Sequence, residues 1–218
     1  NSAMQRLPDN AHAIAESYID AALAMDDNML RSVLQRSYVQ YGEHTLLDEI
    51  IPHIMRSIGD AWHAGTLRIG QEHLATFRIY TFLLRLFDAI TLPDTAPVAI
   101  SATLHDQNHV IGALSAAVIA REGGWRSLFL GGSMPAAEIA GAVRATGARL
   151  LLLSFNYPYD ELEMHTELTL LRETVGKQAE IVIGGAPVRQ FSRKYPDIGV
   201  RYLTDFSELR MVLKRLLS

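Results

Sequence analysis

From Val98 onward the chain alternates short apolar runs with helical stretches, and that alternation leaves few folds open. Val98–Ala102, Ser127–Leu130, Leu150–Ser154, Ile181–Ile183 and Val200–Leu203 read as strands. His109–Glu122, Ala136–Thr146, Glu161–Val175, Arg189–Tyr195 and Ser207–Leu217 read as helices. Leu150–Ser154 is a near-continuous leucine run, the pattern of a strand covered on both faces. The alternation predicts an α/β domain over residues 98–218 with a flavodoxin-like (Rossmann-like), doubly wound parallel sheet of five strands. Ligands of such sheets sit beyond the carboxyl ends of the strands. The loops to search are therefore Thr103–Asn108, Gly131–Pro135, Phe155–Pro158 and Gly184–Pro187.

The chain has a different character before Leu92-Pro93-Asp94-Thr95-Ala96-Pro97, a polar segment with two prolines. There, apolar residues recur at helical spacing, and Asp26-Asp27-Asn28 offers a break and an N-cap. A third helix is expected from about Thr45 to Ala64, with Pro52 near its start. A fourth is expected from about Gly70 to Ile90, apolar almost all round through Leu74, Phe77, Ile79, Tyr80, Phe82, Leu83, Leu86 and Phe87, and so buried on most sides. Residues 8–92 thus read as an N-terminal four-helix bundle, with a hinge expected at Pro93–Pro97.

Composition narrows the function. The 218 residues hold no cysteine, which removes disulfides, thiolate metal sites and a cysteine nucleophile. The net charge of −4 argues against a bulk basic surface for nucleic acid. No apolar run has the length of a membrane span, so no membrane partner is expected. With no leader peptide visible, a cytoplasmic location is expected. There is no Walker loop and no Gly-x-Gly-x-x-Gly or Gly-x-Ser-x-Gly motif. An enzyme is not expected.

The unusual residues gather at the ends of the predicted strands. Leu104-His105-Asp106-Gln107-Asn108-His109-Val110-Ile111-Gly112 leaves the first strand with two imidazoles. Such a segment offers either a metal ligand or simply helix-capping by Asp106 and Asn108 beside two exposed histidines. His105 and His109, spaced four apart with Asp106 between them, are also a weak zinc pattern. Gly131-Gly132, Ser154-Phe155-Asn156 and Gly184-Gly185 each follow a strand. Any one of them satisfies an ordinary turn, but three on one sheet edge point to a ligand. His165 reads as a surface residue in mid-helix.

His109-x-x-Gly112, Leu130-Gly131-x-x-x-Pro135, Ser154 and Gly184-Gly185, in that order, resemble the cobalamin-binding domain family. The resemblance covers Val98 to the C-terminus. It implies His109 as the lower axial ligand of cobalt, in place of cobalamin's own base. It also implies that Gly112, Gly131, Ser154, Gly184 and Gly185 line the path of the displaced nucleotide tail. The family usually carries Asp or Glu two residues before that histidine, to orient the ring and raise its basicity. Here the position is Gln107, which bonds without charge, and Asp106 stands one residue off. Asn156 departs from the family's leucine. These departures leave a haem-binding sensor of the same fold as an alternative.

In the helical half, Trp62-His63 is followed at a fixed gap by Glu72-His73. This spacing resembles the cap bundle of CarH-type cobalamin-dependent photoreceptors over roughly residues 12–92. The resemblance implies that Trp62 packs on the upper face of the corrin with Glu72 and His73 beside it. It implies that His63 takes the upper cobalt position once light has cleaved the cobalt–carbon bond. The implied cofactor is cobalamin, as adenosylcobalamin or hydroxocobalamin, held between helical bundle and sheet domain. The implied function is light-responsive transcription regulation. The sequence leaves no room for a helix-turn-helix module before residue 10, so either a separate DNA-binding regulator is the expected partner, as for AerR/PpaA-type antirepressors, or the chain is a piece of a longer protein. Homo-oligomerisation is also implied. A corrinoid carrier of a methyltransferase is the other alternative, against which Gln107 and the Trp62 motif both count.

Overall fold

The computed structural model describes residues 7–156 and 160–218. Of the expected loop Phe155–Pro158, Tyr157 and Pro158 lie outside the described residues. The chain divides into two compact units, one through Arg85 and one from Leu86 onward.

Helices α1 (Leu7–Leu23), α2 (Asp27–Thr45) and α3 (Ile51–His63) of the first unit, and α4 (Ile69–Ala89), whose residues from Leu86 onward belong to the second unit, carry the expected helical pattern. Asp26 caps α2 as expected, its side chain accepting from the Met29 N–H at 2.9 Å. The break before the third helix falls at Gly42, whose φ of 79° and ψ of 169° interrupt α2. The chain then passes through a π-helical turn, Leu46–Ile50, in which the Ile51 N–H bonds to the Leu46 carbonyl. Pro52 explains the wider turn. It has no N–H for the usual bond, and its ring would press on the carbonyl four residues back. Tyr18, Leu30, Leu34, Leu46, Leu47, Ile54 and Ile79 form the buried centre. The Tyr18 hydroxyl donates to the Ala75 carbonyl at 2.8 Å, and burial raises its pKa well above the usual phenol range.

Helix α4 is not buried on most sides. Ala75, Ile79, Phe82 and Leu83 form its buried face, whereas Phe77 is 53% exposed and Ile69 68% exposed. Ile69, His73 and Phe77 fall four residues apart and share an uncovered face.

The second unit is the expected parallel sheet. Its strands are β1 (Val98–Leu104), β2 (Arg126–Met134), β3 (Leu150–Ser154), β4 (Glu180–Gly184) and β5 (Arg201–Tyr202), in spatial order β2-β1-β3-β4-β5. The helices between and after them are α5 (Ile111–Glu122), α6 (Ala136–Thr146), α7 (Glu161–Val175), α8 (Val188–Lys194) and α9 (Phe206–Leu217). Ile100, Ala102, Leu151, Leu153, Ile181 and Ile183 point to one face and pack with Ile139, Val143, Leu168, Leu171 and Phe191 from α6, α7 and α8. The other face meets α5, where the Ser101 hydroxyl donates to the Ala113 carbonyl at 2.7 Å. Trp125, wholly buried, donates its indole N–H to the Leu213 carbonyl of α9 at 3.3 Å.

Two boundaries differ from expectation. β2 continues through Gly131-Gly132-Ser133 to Met134, because the β1–β2 register shifts twice after Ser101 and keeps the pairing going to Leu104↔Met134. α5 begins at Ile111, so His109 lies in the loop and not in the helix. Asp106 and Asn108 do not cap it. Val110 occupies the cap position without a side-chain bond. His165 is half-buried, not a surface residue, and stacks on Tyr195 with ring centroids 4.2 Å apart. Among the described residues no helix is long and apolar enough to cross a membrane.

Arg121 closes the C-terminus of α4, whose last turn has no basic residue of its own. Its guanidinium donates to the Phe87 carbonyl at 2.8 Å and the Ile90 carbonyl at 3.2 Å, and also reaches the Ser127 carbonyl. It lies 3.6 Å from the centre of the Phe87 ring. Desolvation lowers its pKa, a shift opposed by Asp88. Arg121→Ala strands these carbonyls and is expected to cost about 1–2 kcal/mol. It should also speed amide exchange in the last turn of α4. Unchanged exchange at residues 87–90 would contradict the clamp.

Candidate functional site

The chain order reverses between β1 and β3. β1 runs into α5 on one face of the sheet, and β3 runs toward α7 on the other. A doubly wound sheet opens a crevice at such a point. Four of the expected residues meet there. Gly112, in the first turn of α5, faces β3 so closely that a Cβ on it would stand 2.5 Å from the Ser154 hydroxyl. Ser154 is buried and pairs across the sheet with Gly184. Gly185 has a φ of +124°, and a Cβ there would fall 1.9 Å from the Phe155 carbonyl oxygen. The Phe155 N–H bonds in turn to the Gly184 carbonyl at 3.1 Å. Glycine is thus required where the ends of β3 and β4 close on one another.

Gly131 is not part of that group. It pairs with Ala102 on the far side of β1, at a φ of +87° with open space beside it. Gly132 is the tighter position: a Cβ there would meet Val110 at 2.7 Å and the Gln107 carbonyl at 3.2 Å.

His109 is exposed in the loop between β1 and α5, three residues before Gly112. Among the described residues, no hydrogen bond or ion pair holds its imidazole. No hydrogen bond among the described residues joins Gln107 to that ring. Gln107 is 4% exposed, and its side-chain carbonyl accepts from the Asn156 N–H at 2.8 Å. Its backbone carbonyl accepts from the Thr103 hydroxyl and from the Ser133 N–H. Asp106 does not substitute either, because its carboxylate turns to His105, 3.4 Å away. His105 also approaches Glu163 at 3.3 Å. The zinc pattern is therefore regrouped as His105, Asp106 and Glu163, without His109, and all three are exposed. They border a recess of about 230 Å³ that Asp160, Met164 and Glu167 also line. Beside it, Lys194 hydrogen-bonds Glu161 and holds that carboxyl below its usual range.

In the helical unit, a tight turn joins α3 to α4. Gly65, at a φ of +72°, lets its N–H bond to the Trp62 carbonyl, and Thr66 donates to the Ala61 carbonyl at 2.8 Å. The Gln71 side chain accepts from the Arg68 N–H at 2.8 Å and starts α4. Trp62 is 50% exposed and meets the exposed His63 edge to face, with ring centroids 5.0 Å apart. Glu72 accepts from Thr76 at 2.8 Å and pairs with the exposed His73 at 2.7 Å. Among the described residues no hydrogen bond or ring contact joins one pair to the other. An indole held half in water on a folded helix is a natural platform for an apolar plane.

Sequence reasoning singled out the glycines by their place after strands. It missed Thr103 and the part Gln107 plays, because the bonds that reveal them join separate loops.

Comparison with known proteins shows what the chain resembles. Residues 14–86 match the family model of the B12 binding domain. The individual relatives extend the match into the sheet unit. The HTH-type transcriptional repressor CarH of Myxococcus xanthus is 27% identical over 180 residues, 83% of this chain. The HTH-type transcriptional repressor CarA of the same organism is 23% identical over 201 residues, 91% of this chain. The chain spans 60% of the length of CarH and 67% of that of CarA. Among solved structures, the Methanosarcina barkeri monomethylamine corrinoid protein shares the fold, with a TM-score of 0.69 and 16% identity over 94% of this chain and 99% of its own. The resemblance to the cobalamin-binding domain family and to CarH-type regulators is borne out, and cobalamin binding is supported.

Proposed function

We propose that the chain is a cytoplasmic cobalamin-binding sensor that responds to light and regulates transcription through a separate DNA-binding regulator. It is not an enzyme, and its copies assemble according to the state of the cofactor. One observation carries the reading above the others. A single chain joins a glycine-lined crevice beside an exposed loop histidine to an exposed Trp62-His63 pair on a helical hairpin.

The residues present fit a corrinoid. Gly112 meets the Ser154 hydroxyl too closely for a Cβ, which brings the first turn of α5 against the carboxyl end of β3, where sheets of this kind take their ligands. Imidazole is a common metal ligand, and His109 is exposed three residues before Gly112. Trp62 offers an apolar plane. In this reading His109 would hold the cobalt, His63 would take it after illumination, and Trp62, Glu72 and His73 would border the corrin. When bound, adenosylcobalamin supplies a light-labile cobalt–carbon bond, while the protein binds, orients and shields it. The net charge of −4 supports regulation through a partner.

The chain is to be mixed with adenosylcobalamin in the dark, desalted and then illuminated. The corrin is expected to stay with the protein, and its absorbance bands to shift on illumination while it remains bound. His63→Ala should leave dark binding intact and change the illuminated spectrum. A corrin that washes away would overturn cobalamin sensing. A retained corrin showing only the photolysis of the free cofactor would leave a binder and remove the light sensor. An unaltered illuminated spectrum in His63→Ala would remove that upper ligand.

A further inference from the structure

We propose that Gln107 is a positioning residue whose buried side-chain carbonyl ties the β1–α5 loop to the backbone of the β3–α7 loop, and so fixes the place from which His109 reaches cobalt. The proposal rests on the reading of His109 as the cobalt ligand.

The six residues His105 to Val110 join β1 to α5, and Gln107 is the buried one. His105, Asp106, Asn108 and His109 are exposed, and Val110 is half-buried. At the helix end Val110 caps α5 with no side-chain hydrogen bond. The anchor is Gln107. Its N–H bonds to the Leu104 carbonyl at 3.1 Å, and its own carbonyl receives the Thr103 hydroxyl and the Ser133 N–H. The Asp106 N–H beside it donates to the Ser133 hydroxyl at 3.1 Å. These bonds tie the loop to β1 and β2. The bond from the Asn156 N–H to the Gln107 side chain, at 2.8 Å, ties it to the third strand's exit as well.

That last bond joins the two sides of the crevice. Asn156 lies two residues after Ser154, and His109 lies two residues after Gln107. Two residues of chain span at most about 7 Å, so a shift at Gln107 passes almost undiminished to the imidazole base. The imidazole has no hydrogen bond of its own among the described residues. Its aim therefore depends on the loop. A buried acceptor that keeps its partner is cheap to hold, but losing it strands the Asn156 N–H.

The test uses the full chain with cobalamin in the Co(II) state and ¹⁵N-labelled histidine. In the wild type, electron paramagnetic resonance should show splitting from a single histidine nitrogen. Gln107→Met keeps the volume and removes the acceptor. It is expected to cut the histidine-coordinated fraction several-fold, and to speed exchange of the Asn156 amide in the free chain by about tenfold. Gln107→Glu keeps an oxygen for Asn156 and should retain both the splitting and the slow exchange. Asn156→Pro removes the donated N–H from the other side. It should reproduce the Gln107→Met spectrum, which keeps the test open should Gln107→Met not fold. Wild-type splitting in a folded Gln107→Met, with or without faster exchange, would overturn the proposal. So would equal losses in Gln107→Glu and Gln107→Met. A wild type with no histidine splitting would instead remove the ligand reading on which it stands.

Discussion

Gly185→Ala is expected to destabilise the sheet unit by about 3 kcal/mol or more, while Gly184→Ala next to it changes little. Two costs add at Gly185. Its φ of +124° lies where a side chain is rarely tolerated, and the new methyl would be driven to 1.9 Å from the Phe155 carbonyl oxygen. Neither partner can yield cheaply. Phe155 is 2% exposed, its ring packs on Phe191 at 5.5 Å between centroids, and its N–H is bonded back to Gly184. At Gly184 a Cβ would stand 3.8 Å from the Leu203 carbonyl, an ordinary contact. Fluorescence of Trp125, isolated in a Trp62→Phe background, reports on the sheet unit alone. The Gly185→Ala midpoint should fall by roughly 6–12 °C, and the Gly184→Ala midpoint by no more than a few degrees. Equal small shifts would show that the exits of β3 and β4 can separate freely.

This contrast marks what the sequence made legible. A glycine pair after a strand announced a close approach, but not which member bears it. The choice is set by Phe155, just past the end of another strand. The alternation after Val98 was enough for the sheet, since continuous Leu150–Leu153 admits little but a strand buried on both faces. The start of α5 was harder. Asp106 and Asn108 have the chemistry of caps, yet Asp106, at a φ of +58°, gives its N–H to Ser133 of β2, and the helix starts beyond both. Phe77 failed for a related reason. An apolar residue at helical spacing looks the same whether a core or open solvent covers it, and only the packing of Ala75 and Ile79 on the opposite face decides. Gln107 was read as a neutral substitute for a carboxylate beside His109. Its observed partner lies 49 residues away, beyond the reach of any local pattern.

His109→Ala is expected to abolish histidine coordination of cobalt and to weaken hydroxocobalamin binding by roughly 100-fold. The loss should come without a change in stability, because the imidazole is exposed and has no partner among the described residues. Some binding should persist. Gly112, Ser154, Gly184 and Gly185 are untouched, and the crevice they form does not depend on the loop's last polar residue. Affinity from an absorbance titration, read beside the unfolding midpoint, separates ligand loss from damage to the fold. Added imidazole sharpens the test. An exposed position leaves room for a free base to enter, so millimolar imidazole should restore part of the coordinated spectrum in His109→Ala. The same addition should do nothing for Gln107→Met, whose imidazole is present but displaced. Full affinity with an unaltered spectrum in His109→Ala would move the lower ligand elsewhere. His105 would then be the next imidazole to test, four residues back on the same loop and already between two carboxylates.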